Sequence, residues 1–306
     1  MQSDEMPWRW FVEHQTPYTS IIHKVKRILY SGRTKYQQVD IIETYDLGLC
    51  LVLDGKVQSS TKDEWIYHEA LVHPALFTHP RPKKVLVIGG GEGATVREVL
   101  KHKCVEKATM VDIDSEVVEL SKRYLREMCN GVFEEPRLEL MFTDGRKFVE
   151  ESDRIFDVIV IDVTDPLSGG PSYLLYTKEF YEKLYKRLSD NGLIVTQATS
   201  TFYSLDCFSA IYNTLSKVFN IVRAAHVWVP SYASTWGFVI GSKKGDPTKL
   251  DEDYLEKEIR DRDVENLRFY TPKIHKSLFI LPPHIERKLG EEKKIIRDDQ
   301  PVFMPA

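Results

Sequence analysis

Cysteine is scarce in this 306-residue chain, with only Cys50, Cys104, Cys129 and Cys207. No two form a Cys-x-x-Cys pair, and none stands at zinc-like spacing from a histidine. A disulfide framework and a structural zinc site are therefore set aside, and free thiols in a reducing compartment are expected. Long apolar runs are also missing. The longest, such as residues 85–88 and 158–161, are strand-sized, whereas a helical bilayer span needs about 20 residues. The opening Met1-Gln-Ser-Asp-Glu-Met-Pro7 has no basic end followed by an apolar stretch, so no signal peptide is expected and the cytoplasm is the expected location. A basic excess is lacking too: 42 Lys and Arg against 46 Asp and Glu give a net charge of −4. Neutralising phosphates takes a basic face, so nucleic-acid binding is not expected. The mild acidity suits a cationic partner. There is no internal repeat and no low-complexity segment.

What is present is an alternation. From about Lys24 to Ser60, three short β-prone runs (Ile41-Ile-Glu43, Leu49-Cys-Leu-Val-Leu53, Val57-Gln-Ser-Ser60) are separated by the turn sequences Tyr45-Asp-Leu-Gly48 and Asp54-Gly55. They predict a small antiparallel N-terminal unit. A helix is expected over 63–78, started by Asp63 and Glu64 and closed by Pro80 and Pro82. Then strands (85–88, 108–113, 138–142, 156–162, 192–198) alternate with helices (94–102, 116–128). That pattern predicts a doubly wound, mainly parallel α/β sheet. After about Gly241 the chain is more charged. Residues 254–262 read as an exposed helix and 278–281 as an apolar segment packed on the core. The division expected is an N-terminal β domain (1–62), a catalytic domain (63–290) and a C-terminal tail (291–306).

Gly89-Gly-Gly-Glu-Gly93 lies directly between a strand and a helix. Glycines there let the backbone turn sharply and approach a ligand at the edge where open α/β sheets bind them. Asp112 ends the next strand, 19 residues after Gly93, and a carboxylate there can bind both ribose hydroxyls. Asp144-Gly145 follows the third strand, placed to read an adenine edge. The loop also matches a dinucleotide fingerprint, but Glu92 within it would repel a pyrophosphate. Glu92 favours an adenosine-type ligand with a positive group nearby, such as a sulfonium carrying an aminopropyl ammonium tail.

Asp162 and Asp165 follow a central strand, at the edge that forms the ligand crevice. A free alkyl amine has a pKa of about 10, so an amine nucleophile must lose a proton as it attacks. Asp162 suits the proton acceptor, and Asp165 suits a neighbouring ammonium or, equally, a turn before Pro166. Such a pair also suits a divalent metal, but a third ligand is missing from the sequence and sulfonium chemistry needs no Lewis acid; no metal is expected.

These stretches, with Gln37-Gln-Val-Asp-Ile-Ile42, Leu53-Asp-Gly55, Asp63-Glu-Trp-Ile-Tyr-His-Glu69, Val111-Asp-Ile-Asp114 and Pro230-Ser-Tyr232, resemble the polyamine aminopropyltransferases, the spermidine/spermine/thermospermine synthase family. The resemblance runs over roughly residues 20 to 290. It implies a methyltransferase-like Rossmann domain behind a small β domain, and a homodimer or homotetramer. The implied donor is decarboxylated S-adenosylmethionine, a co-substrate that leaves as methylthioadenosine, with no tightly bound cofactor. Asp162 is implied as the catalytic proton acceptor. Gln37, Glu92, Asp112, Asp144, Gly145 and Pro171 are implied at the donor; Tyr67, His68, Asp165, Gln197 and Tyr232 at the polyamine. Without the resemblance, Tyr67 or His68 reads equally as core, Tyr232 as a strand-edge aromatic, and Gln197 as a backbone partner.

Three departures from the commoner family pattern (Glu92 for Asp, the longer 165–176 segment, and Asp54–Ser60 with Thr235-Trp-Gly237) look like the thermospermine synthase branch. Spermidine is then the expected acceptor, giving thermospermine or spermine. Putrescine, broad specificity, an S-adenosylmethionine-dependent methyltransferase and a non-catalytic polyamine or nucleoside sensor remain alternatives.

Overall fold

The computed structural model describes residues 9–170 and 172–304. Five strands, β1 (Trp10–Thr16), β2 (Thr19–Arg33), β3 (Gln38–Thr44), β4 (Gly48–Leu53) and β5 (Lys56–Ser60), form an antiparallel meander in sequence order. The β4–β5 turn has positive φ at both Asp54 (47°) and Gly55 (78°), the geometry of the tight turn that suits strand twist. Strand structure begins well before Lys24. The β1–β2 hairpin escaped notice because its alternation is inverted: Glu13 and Gln15 are buried while Trp10 and Val12 are exposed. An inverted face reads as non-strand by hydrophobic pattern.

After α1 (Glu64–Thr78) come β6 (Lys84–Gly89), α2 (Ala94–Lys101), β7 (Lys107–Asp112), α3 (Ser115–Tyr124), α4 (Arg126–Cys129), β8 (Leu138–Phe142), α5 (Gly145–Glu151), β9 (Phe156–Asp162), α6 (Lys178–Lys186), β10 (Leu188–Ser200), α7 (Leu205–Leu215), β11 (Ile221–Val229) and β12 (Ser234–Ser242). The second sheet has the order β11-β12-β10-β9-β6-β7-β8. β10, β9, β6, β7 and β8 run parallel, and β12 and β11 add an antiparallel edge. The central parallel strands carry near-continuous apolar runs, such as residues 85–88 and 158–161, because helices cover both faces. α1 is buried almost along its whole length. Buried Arg262 donates to the carbonyls of Leu76, His79 and Pro80, closing that helix's C-terminal end.

The last helices are α8 (Glu252–Asp261), α9 (Pro272–Leu278) and α10 (Pro283–Glu291). The single helix expected over 116–128 is broken at Leu125, whose backbone (φ −113°, ψ 38°) leaves the helical region. In 278–281 only Leu278 is buried, and Ile280 is exposed. The residues after Glu291 are not a free tail. Ile296, Val302 and Met304 are buried. Asp298 takes a two-pronged bond from Arg146, and the Ile296 N–H donates to Thr214 Oγ1. The Met304 N–H donates to the Pro166 carbonyl. Single apolar residues scattered among charges carry no periodic signal, so this docking was invisible in the sequence.

Candidate active site

The chain runs from β6 outward through β7 and β8, then crosses to β9 on the other side of β6. Ligands in open α/β sheets sit at such a reversal. Gly89 pairs in register with Asp162, and the Gly90 N–H donates to the Asp162 carbonyl at 2.8 Å. Gly89 has φ +84°, and a side chain there would meet the Asp162 carbonyl oxygen at 2.1 Å. Glycine is thus required to bring the loop against the strand end. A cavity opens there, lined from the second sheet by the loop, Asp112, Asp144, Gly145, Asp162 and Asp165.

At one end, the Asp112 carboxylate accepts from the Asp114 N–H at 2.8 Å. Burial pushes it up to about 7, against that hydrogen bond and aided by the charges of Asp114, Glu92 and Asp162. Asp114 caps α3 and also accepts from Thr34 Oγ1 (2.6 Å) and Gln37 Nε2 (3.0 Å). Gln37 therefore reaches the cavity rim while pinning the N-terminal sheet to the Rossmann sheet. Asp144 caps α5 through the Lys147 N–H at 2.9 Å. Gly145 follows it, and a side chain at Gly145 would press on Ile88 at 2.5 Å.

At the centre, both Asp162 oxygens are held, Oδ1 by the Tyr67 hydroxyl at 2.7 Å and Oδ2 by the Thr95 hydroxyl at 2.5 Å. Burial and the Glu92 charge raise its pKa; His68, Thr95 and Tyr67 act the other way. The Tyr67 hydroxyl is driven well above its ordinary value by burial and by Asp162, so it remains a donor.

At the other end, Asp165 accepts from Gln197 Nε2 at 3.2 Å. Burial pushes Asp165 up to about 6, against that bond and the Lys56 charge. Gln197 is fully committed: its Nε2 also bonds the Val163 carbonyl and the Tyr176 oxygen, and its Oε1 accepts from Thr199 and Trp236. The Tyr232 hydroxyl donates to the Gln58 carbonyl in β5, and its ring stacks near Tyr67 and Trp236.

Sequence reasoning missed Glu13, Gln15, Lys56, Trp236 and Met304, all of which line the cavity. Glu13 accepts from the Val57 N–H at 3.1 Å. Burial pushes Glu13 up to about 7, opposed by Val57, Gln15 and Lys56 and reinforced by Asp165. The inverted alternation of β1 is the available signal for Glu13 and Gln15, while Lys56 and Trp236 lie in segments that stand out in the sequence only as departures from the family pattern. Nothing in the sequence pointed to Met304.

One expected residue lies elsewhere. His68 does not line the cavity; it is buried behind Glu92, with Nε2 2.9 Å from Glu92 Oε1 and Nδ1 2.9 Å from Glu64 Oε2. Its place one residue after Tyr67 turns it to a different side of α1. Pro171 lies outside the described residues. His68, Glu92 and Asp162 offer ligand atoms within 4.8 Å of one another, a grouping that does not include Asp165. Both His68 nitrogens, however, face carboxylates, and its pKa is held at about 10 by Glu64 and Glu92 despite burial.

Fold and cavity together define a Rossmann-type α/β protein of the methyltransferase-like class, its cavity lined at one end by the glycine loop, Asp112 and Asp144 and at the other by Asp165 and Glu13. The family model "Spermine/spermidine synthase domain" matches residues 64–252, and "Spermidine synthase tetramerisation domain" matches residues 9–61. The chain belongs to the spermine/spermidine synthase family. It is 46% identical over 299 residues to a polyamine aminopropyltransferase of Sulfurisphaera tokodaii, covering 98% of this chain and 99% of that one. It is 48% identical over 304 residues to polyamine aminopropyltransferase 2 of Hyperthermus butylicus, covering 99% and 100%. Among solved structures it is similar to a spermidine synthase in complex with the transition state analogue AdoDATO. That pair is 37% identical with a TM-score of 0.88, over 93% of this chain and 96% of the other. Among the described residues, no helix is long and apolar enough to cross a membrane.

Proposed function

We propose that this chain is a polyamine aminopropyltransferase that moves the aminopropyl group of decarboxylated S-adenosylmethionine to spermidine. The observation that carries this reading is Asp162, gripped at both oxygens between the nucleoside-shaped and acidic ends of one cavity. Asp112 takes the ribose hydroxyls, Asp144 and Gly145 the adenine edge, with Gln37 at the rim. Glu92 takes the donor's ammonium. A carboxylate there also disfavours intact S-adenosylmethionine by like-charge repulsion, against a methyltransferase.

The acceptor nitrogen attacks the methylene next to the sulfonium. The carbon–sulfur bond breaks, its electron pair stays on sulfur, and neutral methylthioadenosine departs. The proton lost by the nitrogen passes to Asp162, whose pKa burial and the Glu92 charge raise, making it a stronger base than an ordinary carboxylate. The enclosed cavity excludes water and holds nucleophile and carbon together. Asp165 and Glu13 offer two further carboxylates for ammonium groups. That count favours a triamine over putrescine. Tyr67, Tyr232 and Trp236 supply aromatic walls for the methylene chain and its charges, and Gln197 orients Asp165. Residues 1–62 and 63–290 serve as the two domains, with the C-terminal segment part of the second. The tetramerisation-domain match supports a homotetramer or homodimer, and the four free cysteines support a cytoplasmic setting.

The test is to incubate the purified protein with decarboxylated S-adenosylmethionine and either putrescine or spermidine, and to separate the products by chromatography. Preferred use of spermidine is expected, with thermospermine distinguished from spermine by retention. Preferred use of putrescine would make it a spermidine synthase. Methyl transfer from intact S-adenosylmethionine, or no product, would overturn the reading.

A further inference from the structure

Behind Glu92 lies a row of buried charges that the proposed chemistry does not use. Arg97 on α2 grips Glu64 at the start of α1 with two nitrogens, Nη1 to Oε1 at 3.1 Å and Nη2 to Oε2 at 2.8 Å. Arg97 is itself fixed by Glu98 and the Met128 carbonyl. His68 Nδ1 stands 2.7 Å from the Glu64 backbone oxygen. A carbonyl has no proton to give, so Nδ1 carries one. Nε2 then faces Glu92 Oε1 at 2.9 Å, a contact that needs a second proton between them.

We propose that Glu64 and Arg97 are positioning residues that hold His68 as an imidazolium behind Glu92, fixing the Glu92 carboxylate and aiming it at the cationic tail of the donor. The inference rests on the donor assignment above. Burial raises the Glu64 pKa, but His68 and Arg97 outweigh it and hold Glu64 below its ordinary range. The groups facing this row are Glu64 and Tyr67 from α1, Glu92 from the glycine loop, and Asp162 from β9, with Asp112 and Tyr232 beyond Glu92. Without the imidazolium, Glu92 and Asp162 are two like charges in one enclosure. The His68 charge acts to lower the Asp162 pKa against burial and Glu92, so losing it raises Asp162 further.

The experiment has two readouts. Nitrogen-15 spectra of the ligand-free protein, with His68 assigned through His68→Gln, report the ring without any activity. Both ring nitrogens protonated at pH 8 is expected, and a neutral ring overturns the proposal. In the second, the acid limb of kcat/KM for decarboxylated S-adenosylmethionine moves up by about one pH unit or more in His68→Gln. It moves less, in the same direction, in Glu64→Gln. Affinity for methylthioadenosine, which lacks the ammonium, stays within about threefold. Arg97→Lys keeps the charge but loses the fork, so it shifts the limb no further than Glu64→Gln. Should His68→Gln not fold, an unmoved limb in folded Glu64→Gln overturns the proposal. So does an equal loss of methylthioadenosine binding, which marks a merely structural role. Wild-type turnover in the same titration reports on the function itself, so failure of that reading is seen separately.

Discussion

The two ends of the cavity are built in different ways. The nucleoside-shaped end comes from consecutive strand–turn–helix units: the loop after β6, Asp112 after β7, and Asp144 at the head of α5. The acidic end is assembled from Glu13 in β1, Lys56 in β5, Asp165 after β9, Gln197 in β10, Trp236 in β12 and Met304 near the chain's end. Local backbone geometry fixes the first. The second exists only once both sheets and the C-terminal segment are docked. On the proposed assignment, a donor site built locally tolerates little change, whereas an acceptor site gathered from six segments can be retuned by any of them.

Mutations at the join and at each end should separate these roles. Asp162→Asn keeps the shape but cannot accept a proton. Turnover should fall by about a thousandfold, with methylthioadenosine affinity nearly unchanged in calorimetry. Glu92→Gln should raise the KM for the decarboxylated donor by about 10- to 100-fold, the range for a lost charge-assisted bond, and narrow discrimination against intact S-adenosylmethionine. An effect on acceptor KM instead would break the comparison. Asp165→Asn and Glu13→Gln should each raise the spermidine KM by about tenfold with donor KM unmoved, and the pair together should cost putrescine less than spermidine. Met304→Ala should change acceptor KM by about two- to threefold, through lost packing alone.

A pH experiment sharpens the same contrast. Glu13, Asp112 and Asp165 are raised to about 7, 7 and 6 in the folded protein. A carboxyl whose folded pKa exceeds its unfolded value favours the fold when protonated. That contribution is full below the ordinary carboxylate range and is lost as pH rises through 6 to 7. Thermal melting of the ligand-free protein should therefore decline over that interval. Asp165→Asn should flatten the decline, and saturating spermidine should offset it. A site that destabilises the empty protein is a common feature of binding clefts.

This construction also explains what the sequence made legible. Gly89–Gly93, Asp112 and Asp162 could be placed at one sheet edge because strand, turn and helix signals lie next to one another along the chain. Tyr67 is legible through its motif, but its neighbour His68 lies behind Glu92 and off the cavity lining, since adjacent residues on a buried helix face different ways. Glu13 and Gln15 were missed because a polar, buried strand face inverts the usual alternation, and that inversion is itself the mark of the cavity. β11 and β12 are absent from the sequence reading, in which Pro230-Ser-Tyr232 between them figures only as a motif. The docking of Ile296 and Met304 depends on Thr214 and Pro166, far away in the chain, and no local pattern encodes it.

The central claim is that one cavity holds donor and acceptor on either side of Asp162. A crystal structure with methylthioadenosine and spermidine bound together tests it most directly. The account predicts the nucleoside against Asp112 and Asp144, the attacking amine within hydrogen-bond reach of Asp162, and the remaining charges of spermidine between Asp165 and Glu13. Spermidine bound outside the acidic end, or a nucleoside lying across Asp165 and Glu13, would contradict it.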